Sequence, residues 1–278
     1  IVKRGFRHNQ NTKKQRWLCN RCGRSFVEND GFWKMKHLPE TIAEAIDLYE
    51  GGLSEESVAE HLWKHRAIKV SSKSVKNWVI KYGELINRFA ETTSPIIKGR
   101  IHEDEKEIKV RKKKAFFWRA IDHVTNFKFP GPVGKRDMQN CMSLNLQIKK
   151  RCYKQMLEQW HTDNRIKFVT DGLAHYKTVH DKLFSKVTDL VHGVSIKLKK
   201  YGVKYNNNQI EREHTDVSLR IALMRSVKST KLVGIVLNLK DNLDNFTKFR
   251  ASKRKTPAQL AGIELNLSRN RTLHLIKI

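Results

Sequence analysis

The sequence has few acidic residues, and this shortage narrows the classes of protein that it can belong to. Its 278 residues include 28 Asp and Glu against 56 Lys and Arg, so the formal net charge is +28. An excess of this size is typical of proteins that bind a polyanion, because neutralising phosphates releases condensed counterions. A ribosomal-type protein or a simple basic globular protein is the alternative.

The sequence also lacks long apolar runs. None approaches the ~20 residues that are needed to span a bilayer. The basic N-terminus has no apolar segment of the kind found in secretory signals. We therefore expect an intracellular protein that has no membrane partner. Hydrophobic residues still make up 39% of the chain, which is enough for a packed core.

Cysteine is scarce as well, and four residues in a chain of this length do not form a disulfide framework. Cys19 and Cys22 form Cys-Asn-Arg-Cys-Gly-Arg between two strand-like segments, which is typical of one knuckle of a zinc ribbon. A ribbon needs four ligands, so the zinc site is predicted to be incomplete. Two alternatives for the other ligands stay open: a partner pair lost upstream of Ile1, or His8 or His37 as substitutes, although neither histidine has ribbon spacing.

Residues 38–91, which follow this partial ribbon at residues 1–37, are predicted to form three helices. Pro39 suits the first turn of the first helix, and Gly51-Gly52 end it. Ser54 is the expected cap of the second helix. Because a short connection joins the last two helices, the segment is predicted to be a helix-turn-helix domain.

The third helix is predicted to read DNA through its N-terminal end, which in such domains faces base edges in the major groove. The side chains expected there are Ser72, Lys73, Lys76 and Asn77. The alternative is a plain helical bundle with a solvated polar face.

Residues 92–99 are the expected linker, and residues 100–278 are predicted to form the main domain. Beyond the linker, apolar residues alternate with charged ones, and this pattern indicates three strands joined by tight turns. A helix, a fourth strand, a second helix, a fifth strand and further basic helices follow. This order of elements predicts an α/β fold of the RNase H-like type, with a mixed sheet flanked by helices. The third strand is expected at residues 127–129, closed by Pro130-Gly131-Pro132.

Three acidic residues occur in distinctive contexts: Asp104 in Asp-Glu-Lys-Glu-Ile-Lys-Val, Asp171 in Phe-Val-Thr-Asp-Gly, and Glu211 in Asn-Asn-Gln-Ile-Glu. Carboxylates retained in a polyanion-binding protein point to a divalent metal, since Mg²⁺ prefers hard oxygen ligands together with substrate phosphates. Two such ions serve phosphoryl transfer. Each residue also has an ordinary alternative as a solvated strand-end charge, a turn residue or an exposed helical acid.

Four segments in order resemble a known family. They are residues 104–122, residues 168–172, residues 207–214 and residues 255–262. With the knuckle and the predicted helix-turn-helix before them, they are similar to prokaryotic insertion-sequence transposases of the DDE class, closest to the insertion sequence six family. The resemblance covers nearly the whole chain.

The resemblance implies that Asp104, Asp171 and Glu211 are the catalytic residues and hold Mg²⁺ or Mn²⁺. It implies nicking at the ends of the element, followed by attack of the freed 3′-hydroxyl on target DNA. The expected partners are the terminal inverted repeats, the target DNA and a second copy of the chain on DNA. The expected location is the cytoplasm, at the nucleoid.

The resemblance also places Glu211 on a helix and assigns some of the residues that follow it there. His214 matches the family's histidine and is expected near the scissile phosphate. Ser218 stands where the family has a basic residue, which leaves Arg212 or Arg220 as phosphate contacts. The interval before Glu211 is longer than usual and predicts an enlarged loop around residues 197–205.

Two other functions remain open at this point. One is a catalytically inactive or domesticated DNA-binding relative of the transposases. The other is an RNase H-type nuclease, which the predicted helix-turn-helix argues against, because a structure-selective nuclease needs no sequence reader.

Overall fold

The computed structural model describes residues 1–9, 12–27, 31–32, 35–194, 208–224, 229–250 and 254–278. The chain divides into two compact units, one of residues 1–78 with 267–278 and the other of residues 79–266. The loop predicted around residues 197–205 lies outside the described residues, as does Asn207. In the part of the chain that is described, no helix is both long and apolar enough to cross a bilayer.

The first unit opens with a three-stranded antiparallel sheet. Its strands are β1 (Val2–Asn9), β2 (Thr12–Leu18) and β3 (Ser25–Val27), in that order. The turn between β2 and β3 carries Cys19 and Cys22. It closes where the Gly23 amide donates to the Cys19 carbonyl at 2.8 Å, and Gly23 takes a φ of 66° that suits glycine.

Three helices follow: α1 (Pro39–Glu50), α2 (Glu55–Arg66) and α3 (Ser72–Thr92). The Ser54 side chain accepts from the Ser57 amide at 3.1 Å, so this predicted cap is confirmed. Ala67, at φ 53°, ends α2 in the left-handed region and turns the chain toward α3. The three predicted helices are therefore present, in the predicted order.

The last of the predicted basic helices belongs to the first unit, although the sequence placed it with the main domain. This helix, α9 (Arg271–Lys277), packs on α1, and the Thr272 hydroxyl donates to Asp47 at 2.6 Å.

The second unit is built on a five-stranded mixed sheet. The strands are β4 (Arg100–Val110), β5 (Lys113–Asp122), β6 (Lys128–Gly134), β7 (Lys167–Thr170) and β8 (Asp189–Val191). Their order is β6-β5-β4-β7-β8, with β4, β5 and β6 antiparallel in a meander and β7 and β8 parallel to β4. This is the RNase H-like sheet, and the predicted fold class is confirmed.

Helices flank this sheet: α4 (Met138–Gln159), α5 (Ala174–Leu183), α6 (Asn208–Leu223), α7 (Thr230–Phe246) and the short α8 (Pro257–Leu260). Asp137 caps α4 by accepting from the Asn140 amide at 3.0 Å, and Ser229 caps α7 by accepting from the Leu232 amide at 3.1 Å. Such caps satisfy backbone donors that helix ends leave free.

The third strand of this sheet is longer than predicted. It continues through Pro130-Gly131-Pro132, where the sequence analysis placed its end. Proline is tolerated because β6 is an edge strand, where a missing amide donor removes no ladder bond on the open side. Gly131 is needed there, since a Cβ would lie 2.7 Å from the Trp118 carbonyl oxygen.

A buried layer of charged side chains fixes α6 and α7 to the sheet. Arg119 of β5 lies 2.7 Å from Asp241, and one of its nitrogens donates to the backbone carbonyl of Glu213 at 3.0 Å. Lys128 of β6 lies 2.6 Å from both Glu213 and Asp244. The helix that carries Glu211 is thereby held against β5 and β6.

The predicted linker is tied to α4. Arg151 donates to the Thr93 carbonyl at 2.8 Å, and Gln155 exchanges two hydrogen bonds with the backbone of Ile97. Thr92 is the last residue of α3. The predicted domain boundaries at residues 37, 91 and 99 stay predictions.

Candidate metal centre

Asp104 lies at the centre of the sheet, on β4 between β5 and β7. It is 7% exposed, and one of its oxygens accepts from the Glu105 amide at 2.9 Å. A carboxylate that is buried with a single hydrogen bond from the protein retains free acceptor positions, which is the condition for a metal ligand.

Asp171 follows β7 directly. Because Glu103 pairs with Thr170 in parallel, the residue that follows β7 lies beside Asp104. One oxygen of Asp171 accepts from the Leu173 amide at 2.9 Å, which fixes the side chain at the turn into α5. Its other oxygen lies 3.7 Å from Arg136.

Glu211 lies in the first turn of α6, and His214 lies one turn later. The His214 Nδ1 atom is 3.6 Å from Glu211 and 3.8 Å from Asp104. The histidine ring is buried, so it faces these two carboxylates and not the surface. The structure therefore places His214 within the acidic cluster.

The structure brings the three predicted carboxylates together around Asp104. Ligand atoms of Asp104, Glu211 and His214 all lie within 4.8 Å of one another, and the same holds for Asp104, Glu105 and Asp171. Because Asp104 belongs to both groups, one carboxylate is shared between two sets of donors. A shared carboxylate flanked by other oxygens suits divalent cations that prefer hard ligands.

The electrostatics of the cluster favour a cation. Burial, followed by the charges of Glu105 and Asp171, raises the pKa of Asp104 to about 8. Burial also lowers the pKa of His214 to about 3, with a further contribution from Arg119, so the ring is neutral. Four carboxylates and a neutral imidazole thus meet here, and a bound cation would relieve the repulsion among the carboxylates.

Glu105 is a fourth carboxylate of the cluster, and the sequence predicts no role for it. It is 8% exposed, accepts from the Tyr176 hydroxyl at 2.7 Å and lies 2.5 Å from Arg136. Arg136 also reaches Asp171, so the guanidinium bridges the two carboxylates. Glu105 could have been noticed as the neighbour of Asp104, whereas nothing in the sequence pattern singles out Arg136 or Tyr176.

The residues predicted to contact DNA differ in how far they are exposed to solvent. At the N-terminal end of α3, Lys73 and Asn77 are exposed, and Ser72 and Lys76 are half-buried. On α6, Arg212 is exposed. Arg220 is only 3% exposed, because it lies on the face of α6 that packs inward, and a phosphate contact from it stays a prediction.

The predicted zinc knuckle presents two thiols, Cys19 and Cys22, at one turn. Backbone hydrogen bonds of the turn, from Cys22 and Arg21, lower the pKa of Cys19. Among the described residues, no third histidine, cysteine or carboxylate joins Cys19 and Cys22 in a group that could hold a metal.

Comparisons with known proteins agree with this picture. Residues 98–250 match a family model described as a DDE domain, of the IS240 type of transposase. A search of the curated proteins finds no match.

Three solved structures show a distant likeness. The HTLV-2 integrase catalytic core domain in complex with magnesium has 13% identity over 60% of this chain and 99% of that one, at a TM-score of 0.41. The simian T-cell lymphotropic virus intasome in complex with a PP2A regulatory subunit has 11% identity over 81% of this chain and 76% of that one, at a TM-score of 0.41. The BIV integrase catalytic core domain has 13% identity over 59% of this chain and 93% of that one, at a TM-score of 0.37.

Proposed function

The chain belongs to the IS240-type DDE transposase family, and we propose that it cuts the ends of an insertion sequence and joins them to target DNA. Its RNase H-like domain is that of a metal-dependent enzyme that cleaves and transfers DNA. We propose that the substrate is the DNA of the element's terminal inverted repeats, and we assign the residues that act on this DNA.

The observation that carries the proposal is the convergence of Asp104, Asp171 and Glu211 from β4, the end of β7 and α6. Phosphoryl transfer requires little covalent work from the protein beyond positioning and neutralising charge. Three carboxylates held by a rigid sheet and an anchored helix supply that positioning. When bound there, Mg²⁺ or Mn²⁺ would activate an attacking oxygen and stabilise a leaving one.

The residues around the three carboxylates have separate tasks in this proposal. Glu105 holds Arg136 at the edge of the cluster, where its partly exposed guanidinium can meet a DNA phosphate. His214, neutral and buried, orients Asp104 and Glu211. Arg212, on the exposed side of α6, contacts the backbone of the bound strand.

Sequence recognition is assigned to α3. Ser72, Lys73, Lys76 and Asn77 stand near its N-terminal end, and the Ser71 side chain caps the helix by accepting from the Ser74 amide at 3.1 Å. These side chains are short polar or cationic groups of the types that contact base edges and phosphates. We assign residues 38–91 to terminal-repeat recognition and residues 100–266 to catalysis, with residues 92–99 between them.

Two further elements complete the proposal. At least two copies assemble on DNA, because two ends of an element must be held together before they are joined. Zinc at Cys19 and Cys22 is retained only with ligands from outside the described residues. The reaction takes place at the nucleoid, where the substrate is.

The alternative of a catalytically inactive DNA-binding relative is not favoured, because an inactive copy has no need to keep the three carboxylates and their buried surroundings. The test uses the full chain and a plasmid that carries the inverted repeats flanking the coding sequence. Cleavage at the repeat boundaries and joining to a second plasmid are expected only with a divalent cation. Binding to the repeats without either reaction, with Mg²⁺ or with Mn²⁺, would contradict the proposal.

A further inference from the structure

The sheet of the first unit presents an aromatic face that the proposed function does not use. In the register of this sheet, Lys3 is opposite Trp17, Trp17 is opposite Phe26, and Phe6 is opposite Gln15. Directly opposed residues share a face, and residues two apart on one strand do so as well. Phe6, Trp17 and Phe26 therefore lie on the same side of the sheet, one from each strand.

This aromatic sheet face is open to solvent. Phe6 is 49% exposed and Phe26 is 41% exposed, while Trp17 between them is half-buried. Large aromatic side chains at such exposure, side by side on a sheet, are unusual without a ligand or partner.

Cations surround the rings. The Lys3 ammonium lies 5.9 Å from the centre of the Trp17 ring, and the Lys13 ammonium lies 4.2 Å from the centre of the Phe6 ring. Residues 1–27 contain eight Lys or Arg and no Asp or Glu. The charge of the surface is therefore complementary to a polyanion and opposed to a basic partner such as a second copy of the same sheet.

We propose that the aromatic sheet face binds single-stranded DNA, with bases stacked on Phe6, Trp17 and Phe26 and phosphates beside Lys3 and Lys13. Flat rings between cations fit an unpaired strand, because its bases expose the faces that a duplex keeps stacked inside. The backbone of a duplex would meet the cations and leave the rings uncovered. The site lies on a different element from the acidic cluster and from α3, and needs neither.

Binding of the full chain to a labelled oligothymidylate tests this, measured by fluorescence anisotropy without added divalent cation. The Phe6→Leu/Phe26→Leu variant keeps apolar side chains but removes the rings. We expect its affinity to fall at least about tenfold, since stacking contributes ~1–3 kcal/mol per base. The Phe6→Tyr/Phe26→Tyr variant keeps the rings and should bind within about twofold of the parent.

The matched control is Trp63→Leu, which removes a ring that is 57% exposed on α2. This variant should bind oligothymidylate like the parent. Duplex DNA of the same length should be bound equally by the parent and the double leucine variant, because the rings do not take part in duplex binding.

Two further readouts are independent of the leucine variant's folding. Thymine stacked on Trp17 should quench part of the tryptophan emission, and Trp17→Phe should remove that part while retaining affinity. Lys3→Gln/Lys13→Gln should lower the slope of log affinity against log salt by about 1.4, at ~0.7 for each phosphate of a single strand.

Several results would overturn the proposal. One is unchanged oligothymidylate affinity in the double leucine variant with a changed state of self-association, which would make the face a protein interface. Another is an equal loss of duplex and single-strand binding, which would make it a general basic surface. A third is the absence of any Trp17-dependent quench at saturating oligothymidylate.

Discussion

Oxygen atoms of Asp104 and Glu211 lie within 4.8 Å of each other, although one residue is on the central strand and the other is on a helix far along the chain. The contact depends on α6 being held in place. Arg119 and Lys128 hold it through Glu213, two residues after Glu211. A layer of buried charge on one side of the helix thus fixes the acidic cluster on the other.

Asp171→Asn should abolish cleavage and leave binding to the terminal repeat intact or slightly tighter. The substitution removes a negative charge, which costs metal affinity and relieves repulsion of phosphate. Cleavage and gel-shift assays on the same DNA measure the two effects. Asp163→Asn, an exposed aspartate before β7, is the matched control and should cut normally. An Asp171→Asn variant that cuts like the parent would remove Asp171 from the catalytic set.

The Lys73→Ala/Lys76→Ala variant should weaken binding to the terminal repeat, because it removes two cations from the N-terminal end of α3. If the lysines contact phosphates, binding should fall for all sequences alike, and if one reads a guanine, discrimination should fall by ~1–3 kcal/mol. Competition with mutated repeats separates the two. Lys154→Ala, a lysine on α4 whose side chain is 93% exposed, is the control. Unchanged affinity in the double variant would place the reading surface elsewhere.

Stability should depend on pH and metal through Asp104. Its folded pKa of about 8 lies above the ordinary value of 3.8, so the folded state binds the proton more tightly than the unfolded state does. The contribution of Asp104 to stability therefore falls as the pH rises from 3.8 to about 8 in metal-free protein. Because the cation binds the ionised form, the stabilisation by Mg²⁺ should be larger at about pH 9 than at about pH 6.

Thermal unfolding with and without Mg²⁺ at the two pH values checks this. Asp104→Asn should unfold at a higher temperature than the parent in metal-free buffer at the higher pH, since it carries no charge to bury. It should also lose most of the increase in Tm that Mg²⁺ gives. A parent protein whose Tm responds equally to Mg²⁺ at both pH values would show that Asp104 is not a ligand.

Asp241→Asn should destabilise the second unit by about 3–5 kcal/mol, because it leaves Arg119 buried beside a neutral group. Arg119 is 2% exposed and Asp241 is 1% exposed, so water cannot replace the lost charge. Urea unfolding measures the change. Glu107→Gln breaks the exposed pair with Lys114 and should cost less than about 1 kcal/mol. Equal effects of the two substitutions would mean that the buried layer does not hold α6.

Much of the second unit could be predicted because its elements follow local rules. The alternation around Ile108 and the buried run that ends at Thr170 are patterns of a strand, and their order allows few topologies. The length of β6 could not be predicted, since Pro130 and Pro132 signal a turn unless the strand is known to be at an edge.

The acidic residues of the candidate site could be predicted from the sequence, but the residues that hold them in place could not. Asp104, Asp171 and Glu211 stood out because acids are scarce in this chain. The role of Glu105 depends on Arg136 and Tyr176, which come from other elements and reach it only in the folded state. The burial of Arg220 could not be predicted, because the helical pattern of α6 shows which side is apolar but not that an arginine lies on it.

Whether Asp104 is a metal ligand in DNA transfer is tested by strand transfer with the Asp104→Cys variant, in Mg²⁺ and in Mn²⁺. A thiolate is a soft ligand that suits Mn²⁺ better than Mg²⁺. Glu107→Cys, on the exposed part of the same strand, is the control and should respond to both ions like the parent. We expect no joined product from Asp104→Cys with Mg²⁺ and restored product with Mn²⁺. Joined product from this variant at the parent's level with Mg²⁺ would contradict this expectation.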